Sequence, residues 1–176
     1  MRYEAILTVS VIMLGSAMAG EGKVPEKTKS SNVAVSTNQA AAKPEVKDFN
    51  GWHTDFANAK QTAKQKKQLI LADFSGSDWC GWCIKLEKEV FSQEIFKNWA
   101  KDNVVLFIAD FPRAVAQPDN LKKQNQDLMQ KYGVEGFPSV LILDADGNLI
   151  HQTGYMKGGA QVYVDKLQEL IAKSAK

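Results

Sequence analysis

The 176-residue chain holds two cysteines, and both lie in one run, Cys80-Gly81-Trp82-Cys83. A disulfide between residues this near in sequence closes almost no loop, so it would add little stability by restricting the unfolded chain. Proteins that use disulfides as staples spread several cysteines along the sequence. The spacing therefore points to chemistry. A CxxC is also half of a zinc site, but no second pair exists, and His53 and His151 are too few and too scattered to complete four ligands. A haem attachment needs a histidine after the second cysteine, where this chain has Ile84. Thiol–disulfide exchange remains, a reaction that calls for no metal and no cofactor.

Exchange needs a thiolate, and the flanking elements suit one. Leu69-Ile70-Leu71-Ala72-Asp73-Phe74 is a short apolar run fit for a buried strand, and Ser75-Gly76-Ser77-Asp78 is a loop of helix-capping residues. From Cys80 to Val90, Cys83, Leu86 and Val90 recur on one helical face. Cys80 thus falls at a helix N-terminus, beside unpaired backbone N–H groups and the positive end of the dipole. Lowering a thiol pKa from ~8.5 to ~7 raises its thiolate fraction at neutral pH from about 3% to about half. Cys80 is the expected attacking thiol, and Cys83, one turn further in, is placed to resolve the mixed disulfide. Trp79 and Trp82 flank the pair and offer an apolar platform for extended or unfolded thiol proteins. Simple packing beneath the loop is the competing reading, stronger for Trp79 than for Trp82. His53, Asp78 and Lys85 read as surface or capping residues.

Trp52, Phe56, Ala59 and Ala63 mark one face of a helix over about residues 53–67. Helical turns are expected over 92–100, a second buried strand over 104–109, and a helix over 119–132 that Gly133 stops. Residues 140–143 and 149–150, joined through Asp144-Ala145-Asp146-Gly147-Asn148, read as an antiparallel hairpin. A last helix covers 159–173, with Ala160, Val164, Leu167 and Ile171 on one face. The fold class is α/β, a central mixed sheet flanked by helices. Parallel crossovers are expected where helices separate strands, with an antiparallel edge from the closing hairpin before the C-terminal helix.

With these motifs placed, the chain resembles the thioredoxin family. The stretch from Asp73 through Trp79-Cys80-Gly81-Trp82-Cys83 looks like its active site, in which an aspartate-bearing strand leads to WCGxC. Gly133-Val134-Glu135-Gly136-Phe137-Pro138-Ser139-Val140 resembles the segment that carries the family's cis-proline, and Asp146-Gly147 and Gly154 match its hairpin. The resemblance spans about residues 52–173 and is greatest to the exported, periplasmic-type branch. It implies the thioredoxin fold, a redox-active Cys80–Cys83 disulfide, and Pro138 facing the dithiol where, with Phe137, it meets an extended substrate. It further implies that Asp73 is a buried acid of raised pKa that helps deprotonate Cys83, the alternative being a strand-end residue. There are departures. One extra residue separates Asp73 from Cys80, and Leu106 stands about where a lysine usually lies near the acid. Trp82 replaces a proline, and the insert between Ala109 and Leu121 is long.

Composition divides the chain. Residues 1–19 start Met1-Arg2, run apolar from Ala5 and end in Ala17-Met18-Ala19, the pattern of a cleaved export signal. The apolar stretch falls short of the roughly 20 residues of a membrane span, an uncleaved anchor or buried helix being the alternative. Residues 20–47 are a polar spacer without aromatics, and residues 48–176 form the domain. The net charge is +2, and from Asp48 onward lysines and arginines equal aspartates and glutamates, so no footprint for nucleic acid exists. The expected protein is a monomer, periplasmic or secreted, that exchanges disulfides with protein substrates. Reduction is slightly preferred, with a membrane dithiol relay as electron source. A binding module or chaperone subunit with a vestigial or regulatory dithiol is the alternative.

Overall fold

The computed structural model describes residues 48–174; the expected leader (1–19) and spacer (20–47) lie outside the described residues. In chain order the elements are α1 (Phe56–Lys66), β1 (Leu69–Ser75) and α2 (Gly81–Leu86), which a π-helical turn (Glu87–Phe91) continues. There follow α3 (Glu94–Asn103), β2 (Val104–Asp110), α4 (Asp119–Lys131), β3 (Ser139–Leu143), β4 (Leu149–Thr153) and α5 (Gly159–Ser174). Among the described residues no helix is long and apolar enough to cross a membrane.

The sheet is ordered β2-β1-β3-β4. β1 and β2 are parallel, with Asp73 opposite Ile108 and Ser75 opposite Asp110. β3 also follows a helix, yet it runs antiparallel to β1, with Asp73 opposite Val140. The expected parallel crossover therefore holds for the first pair and fails for the second. Parallel strands need a long crossover, but a helix between two strands does not oblige them to be parallel, and after α4 the chain enters β3 in the opposite direction. β3 and β4 form the expected antiparallel hairpin.

Alternation along the strands sorts the core into two layers. Ile70, Ala72 and Phe74 of β1 pack with Phe107, Leu141 and Leu143 under Phe56, Ala59 and Ala63 of α1 and Leu128 of α4. On the other face Leu71, Val140 and Ile142 pack under Leu86, Val90, Phe96, Tyr163 and Leu167. Asp73 and Ser75 share the face of Leu71 by the same alternation, which directs both toward α2. Trp52 does not share the α1 face that its spacing suggested. The helix starts after Asp55, whose carboxylate caps it by accepting from the Asn58 N–H. Trp52, released from the helix, packs on Phe91 and Phe96 in the opposite layer.

β2 is an edge strand, and its outer side pairs with His53. His53 donates its N–H to the Leu106 carbonyl and accepts from the Ile108 N–H, both at 2.9 Å, a single bridge in place of a strand. Asn50 and Gly51, both at positive φ, bend the chain just before it.

α1 ends one residue short of the expected limit. Lys67 adopts the left-handed conformation at φ 55° and ψ 40°, and its N–H caps the Ala63 and Lys64 carbonyls. A side chain with a Cβ is strained there, and glycine is not. Lys67 is exposed, so no packing would be lost. Lys67→Gly should raise the unfolding free energy by about 0.5–1 kcal/mol, read from the urea midpoint at constant slope. An unchanged or lower midpoint would refute the assignment of strain to this residue.

Candidate active site

Cys80 and Cys83 form a disulfide, with Cα atoms 5.2 Å apart. Cys80 occupies the N-cap of α2 in extended conformation, and its Sγ accepts from the Cys83 N–H at 3.2 Å. Sulfur thus stands where a cap oxygen usually does, aimed at the orphan N–H groups that favour a thiolate. Cys80 is 8% exposed and Cys83 3%.

The loop before the dithiol is held by two acids. Asp110, at the end of β2, accepts from the Ser77 N–H at 2.9 Å and from the Ser77 hydroxyl at 2.8 Å. Asp78 accepts from the N–H groups of Arg113 at 3.0 Å and Ala114 at 2.6 Å. The Phe111 N–H donates to the Ser75 carbonyl, and Trp79 Nε1 donates to the Phe111 carbonyl at 2.7 Å. These bonds lace the redox loop to the long insert after β2. Cys80 itself donates its N–H to the Gly76 carbonyl at 2.8 Å, which closes the turn into α2.

Aromatic groups stand on both flanks. The Trp79 ring lies so near Gly76 that a Cβ there would come within 2.4 Å of it. Its edge meets Phe137 at 5.9 Å between centroids, Phe137 packs on Phe111 at 5.0 Å, and the Arg113 guanidinium carbon lies 3.5 Å from the Trp79 centroid. Trp82 is 56% exposed and leans on Tyr155 at 5.1 Å. The Tyr155 hydroxyl donates to Glu89 at 2.7 Å, and Lys85 reaches the same carboxylate at 3.3 Å. The Phe137–Pro138 peptide bond is cis. A Cβ on Gly154 would meet the Pro138 carbonyl oxygen at 3.1 Å, so the loop after β4 approaches that proline closely.

Asp73 is buried, and its Oδ1 has no hydrogen-bond partner. Burial pushes its carboxyl up to about 8; repulsion from Glu87 and then Asp110 adds to this, and a hydrogen bond with Ser75 opposes it. Asp73, Ser75, Ser77, Glu87 and Cys83 line one cavity of about 160 Å³. Of the residues singled out from sequence, Asp73 and Cys83 therefore share a cavity, Trp79 and Phe137 are in ring contact, and Trp82 stands apart on the second flank. Sequence reasoning missed Asp110, Glu87, Arg113 and Tyr155, and left Asp78 without its role in holding the insert. Asp110 carried one available signal: it directly follows the second apolar run, at a strand end beside the first.

A helix-capping dithiol with an acid beneath it and aromatic walls beside it is the equipment of thiol–disulfide exchange. Residues 56–168 match the thioredoxin-like domain family, and the chain belongs to it. The Disulfide bond reductase DsbH of Chlamydia pneumoniae is 34% identical over 116 residues, 66% of this chain and 70% of that protein. A solved structure titled DsbH Oxidoreductase superposes with a TM-score of 0.66 at 31% identity, over 82% of this chain and 95% of that one. A thioredoxin from Thermus thermophilus, 16% identical, shares the fold with a TM-score of 0.54 over 70% of this chain and 88% of its own. The chain is a thiol–disulfide oxidoreductase, and the CxxC is its redox centre.

Two expectations follow from this geometry. Between pH 4 and about 8 the folded protein keeps a proton on Asp73 that the unfolded chain, near the usual 3.8, has lost. Asp73 therefore subtracts stability progressively as pH rises through that window, and the loss levels off above it. Asp73→Asn should be more stable than the parent by on the order of a few kcal/mol at pH 8, and near parity at pH 4. A pH-independent difference in denaturation midpoint would contradict the raised carboxyl. Gly76→Ala should cost about 1–3 kcal/mol, because the Trp79 ring must move. Parent-like stability together with parent-like tryptophan fluorescence would show that the contact is loose.

Proposed function

We propose that the protein is an exported reductase of protein disulfides that draws electrons from a membrane dithiol relay. Residues 1–19 act as a cleaved leader and 20–47 as a tether for the domain. The observation that carries the reading is the position of Cys80, the better exposed of the two cysteines, as the cap of α2. The likeness to a protein named as a disulfide bond reductase supports the direction.

In the reducing half-reaction the Cys80 thiolate attacks one sulfur of a substrate disulfide, and the other substrate sulfur leaves as thiolate. Cys83 then loses its proton to Asp73 and displaces the substrate from Cys80, closing the disulfide and releasing a second thiolate. Regeneration reverses the order. A donor thiolate attacks Cys80 Sγ, and Cys83 leaves and takes the proton from Asp73. The donor's second thiolate then displaces the Cys80 thiolate as the donor closes its own disulfide. An acid near 8 suits both directions, since neither protonation state is far from neutral pH. Trp79, Trp82, Phe137 and Pro138 form the surface on which an extended substrate lies.

Cys83→Ser should trap substrates as mixed disulfides at Cys80, because release needs the second thiolate. Such adducts should dissolve in reductant and be absent from the variant that lacks both cysteines. The reduced parent should reduce insulin and be alkylated at Cys80 before Cys83. No adducts and no insulin reduction would mean that the domain binds its partners without turnover.

A further inference from the structure

We infer that Arg113 is a specificity-determining residue of the exchange site, selecting protein disulfides whose cysteine has a carboxylate side chain beside it. The inference deepens the reading above and rests on exchange through Cys80. Trp79, the residue before the attacking sulfur, is not an open apolar shelf. Gly76 lies against its ring, Phe137 meets its edge, and the guanidinium carbon of Arg113 lies 3.5 Å from its centroid. Arg113 is exposed. A chain that approaches Cys80 along this flank therefore meets a cation as well as an indole.

The backbone that carries the cation is held from two sides. Asp78 accepts from the backbone N–H groups of Arg113 and Ala114, and Trp79 Nε1 holds the Phe111 carbonyl. Arginine stacks on aromatic faces and still presents a fork of N–H donors that fits a carboxylate. On the opposite flank the Lys85 ammonium over Trp82 and Tyr155 is paired with the side chain of Glu89 at 3.3 Å. From Asp48 onward basic and acidic residues balance, so a general field does not steer substrates and a local cation can.

The test uses two disulfide-linked peptides that differ only in Glu or Gln next to the cysteine. Exchange rates with the reduced mature protein are divided by the rates of the same peptides with dithiothreitol, which removes the intrinsic effect of the neighbour on the sulfur. At low ionic strength the normalised Glu/Gln ratio should be about three. It should fall toward one in about 1 M salt, where the screening length is roughly 3 Å. Arg113→Gln should bring the low-salt ratio to one, and Arg113→Glu should invert it. Lys122→Gln removes the same charge from the exposed side of α4 and should leave the ratio as in the parent. A parent ratio of one at low salt, a ratio that survives Arg113→Gln, or an equal loss in Lys122→Gln would each overturn the assignment. Equal exchange of both peptides removes Arg113 from specificity and leaves the reductase intact; exchange of neither removes the reductase reading itself.

Discussion

Asp110 ties the loop that carries the dithiol to the end of the neighbouring strand. A buried carboxylate is costly unless its lone pairs are filled, and Ser77 fills them with its N–H and its hydroxyl. Hydrogen bonds to a charged acceptor are worth roughly 1.5–3 kcal/mol each, enough to fix a short loop. The backbone carbonyl of the same residue accepts from Gln117 in the insert and Asn125 in α4. One residue thereby joins the redox loop, the insert and a helix of the other layer. The register of β1 against β2 makes this possible, since Ser75 lies opposite Asp110 and leaves Ser77 within reach.

The same arrangement loads the space beneath the dithiol with acids. Asp73 faces α2 with Glu87 and Asp110 near enough to repel its charge, and burial removes the water that would stabilise it. A lysine beside Asp73 would offset both effects. Leu106, in register with Leu71 two residues before Asp73, is apolar and only partly buried. The outcome is a carboxyl that holds its proton near neutral pH at the expense of stability. Such a compromise is common where a buried acid serves a reaction instead of the fold.

Sequence made the elements legible because most of them are encoded locally. The period of Phe56, Ala59 and Ala63, the apolar strands, and the Asp144–Asn148 turn with Gly147 at φ 86° each follow from neighbouring residues. What escaped was long-range. Trp52 matched the α1 period by spacing, yet Asp55 caps the helix after it and the ring crosses to the other layer. The antiparallel direction of β3 is set by its pairing with β1, which no local pattern states. The site divided in the same way. Cys80 and Cys83 were readable from their spacing, and Asp73 only through the resemblance to the thioredoxin family. Asp78–Arg113, Trp79–Phe111 and Tyr155–Glu89 span from about 30 to more than 60 positions and appear only once the chain is folded.

The two flanks of the dithiol solve one problem differently. An aromatic beside the dithiol that stays partly exposed must still keep its place. Trp79 achieves this through packing: Gly76, Phe137 and Arg113 leave its ring little freedom. Trp82 is held through Tyr155, which is anchored to Glu89 across the fold. The π-helical turn explains how Glu89 comes to be there. The Ser92 N–H bonds back to the Glu87 carbonyl, a wider turn than an α-helix allows, and Val90 and Phe91 are both buried within it. Two consecutive residues thus serve the core, and the residue before them is left on the side of Tyr155. Exposed ion pairs add little stability, commonly under 1 kcal/mol, so the Lys85–Glu89–Tyr155 group contributes chiefly the orientation of Trp82.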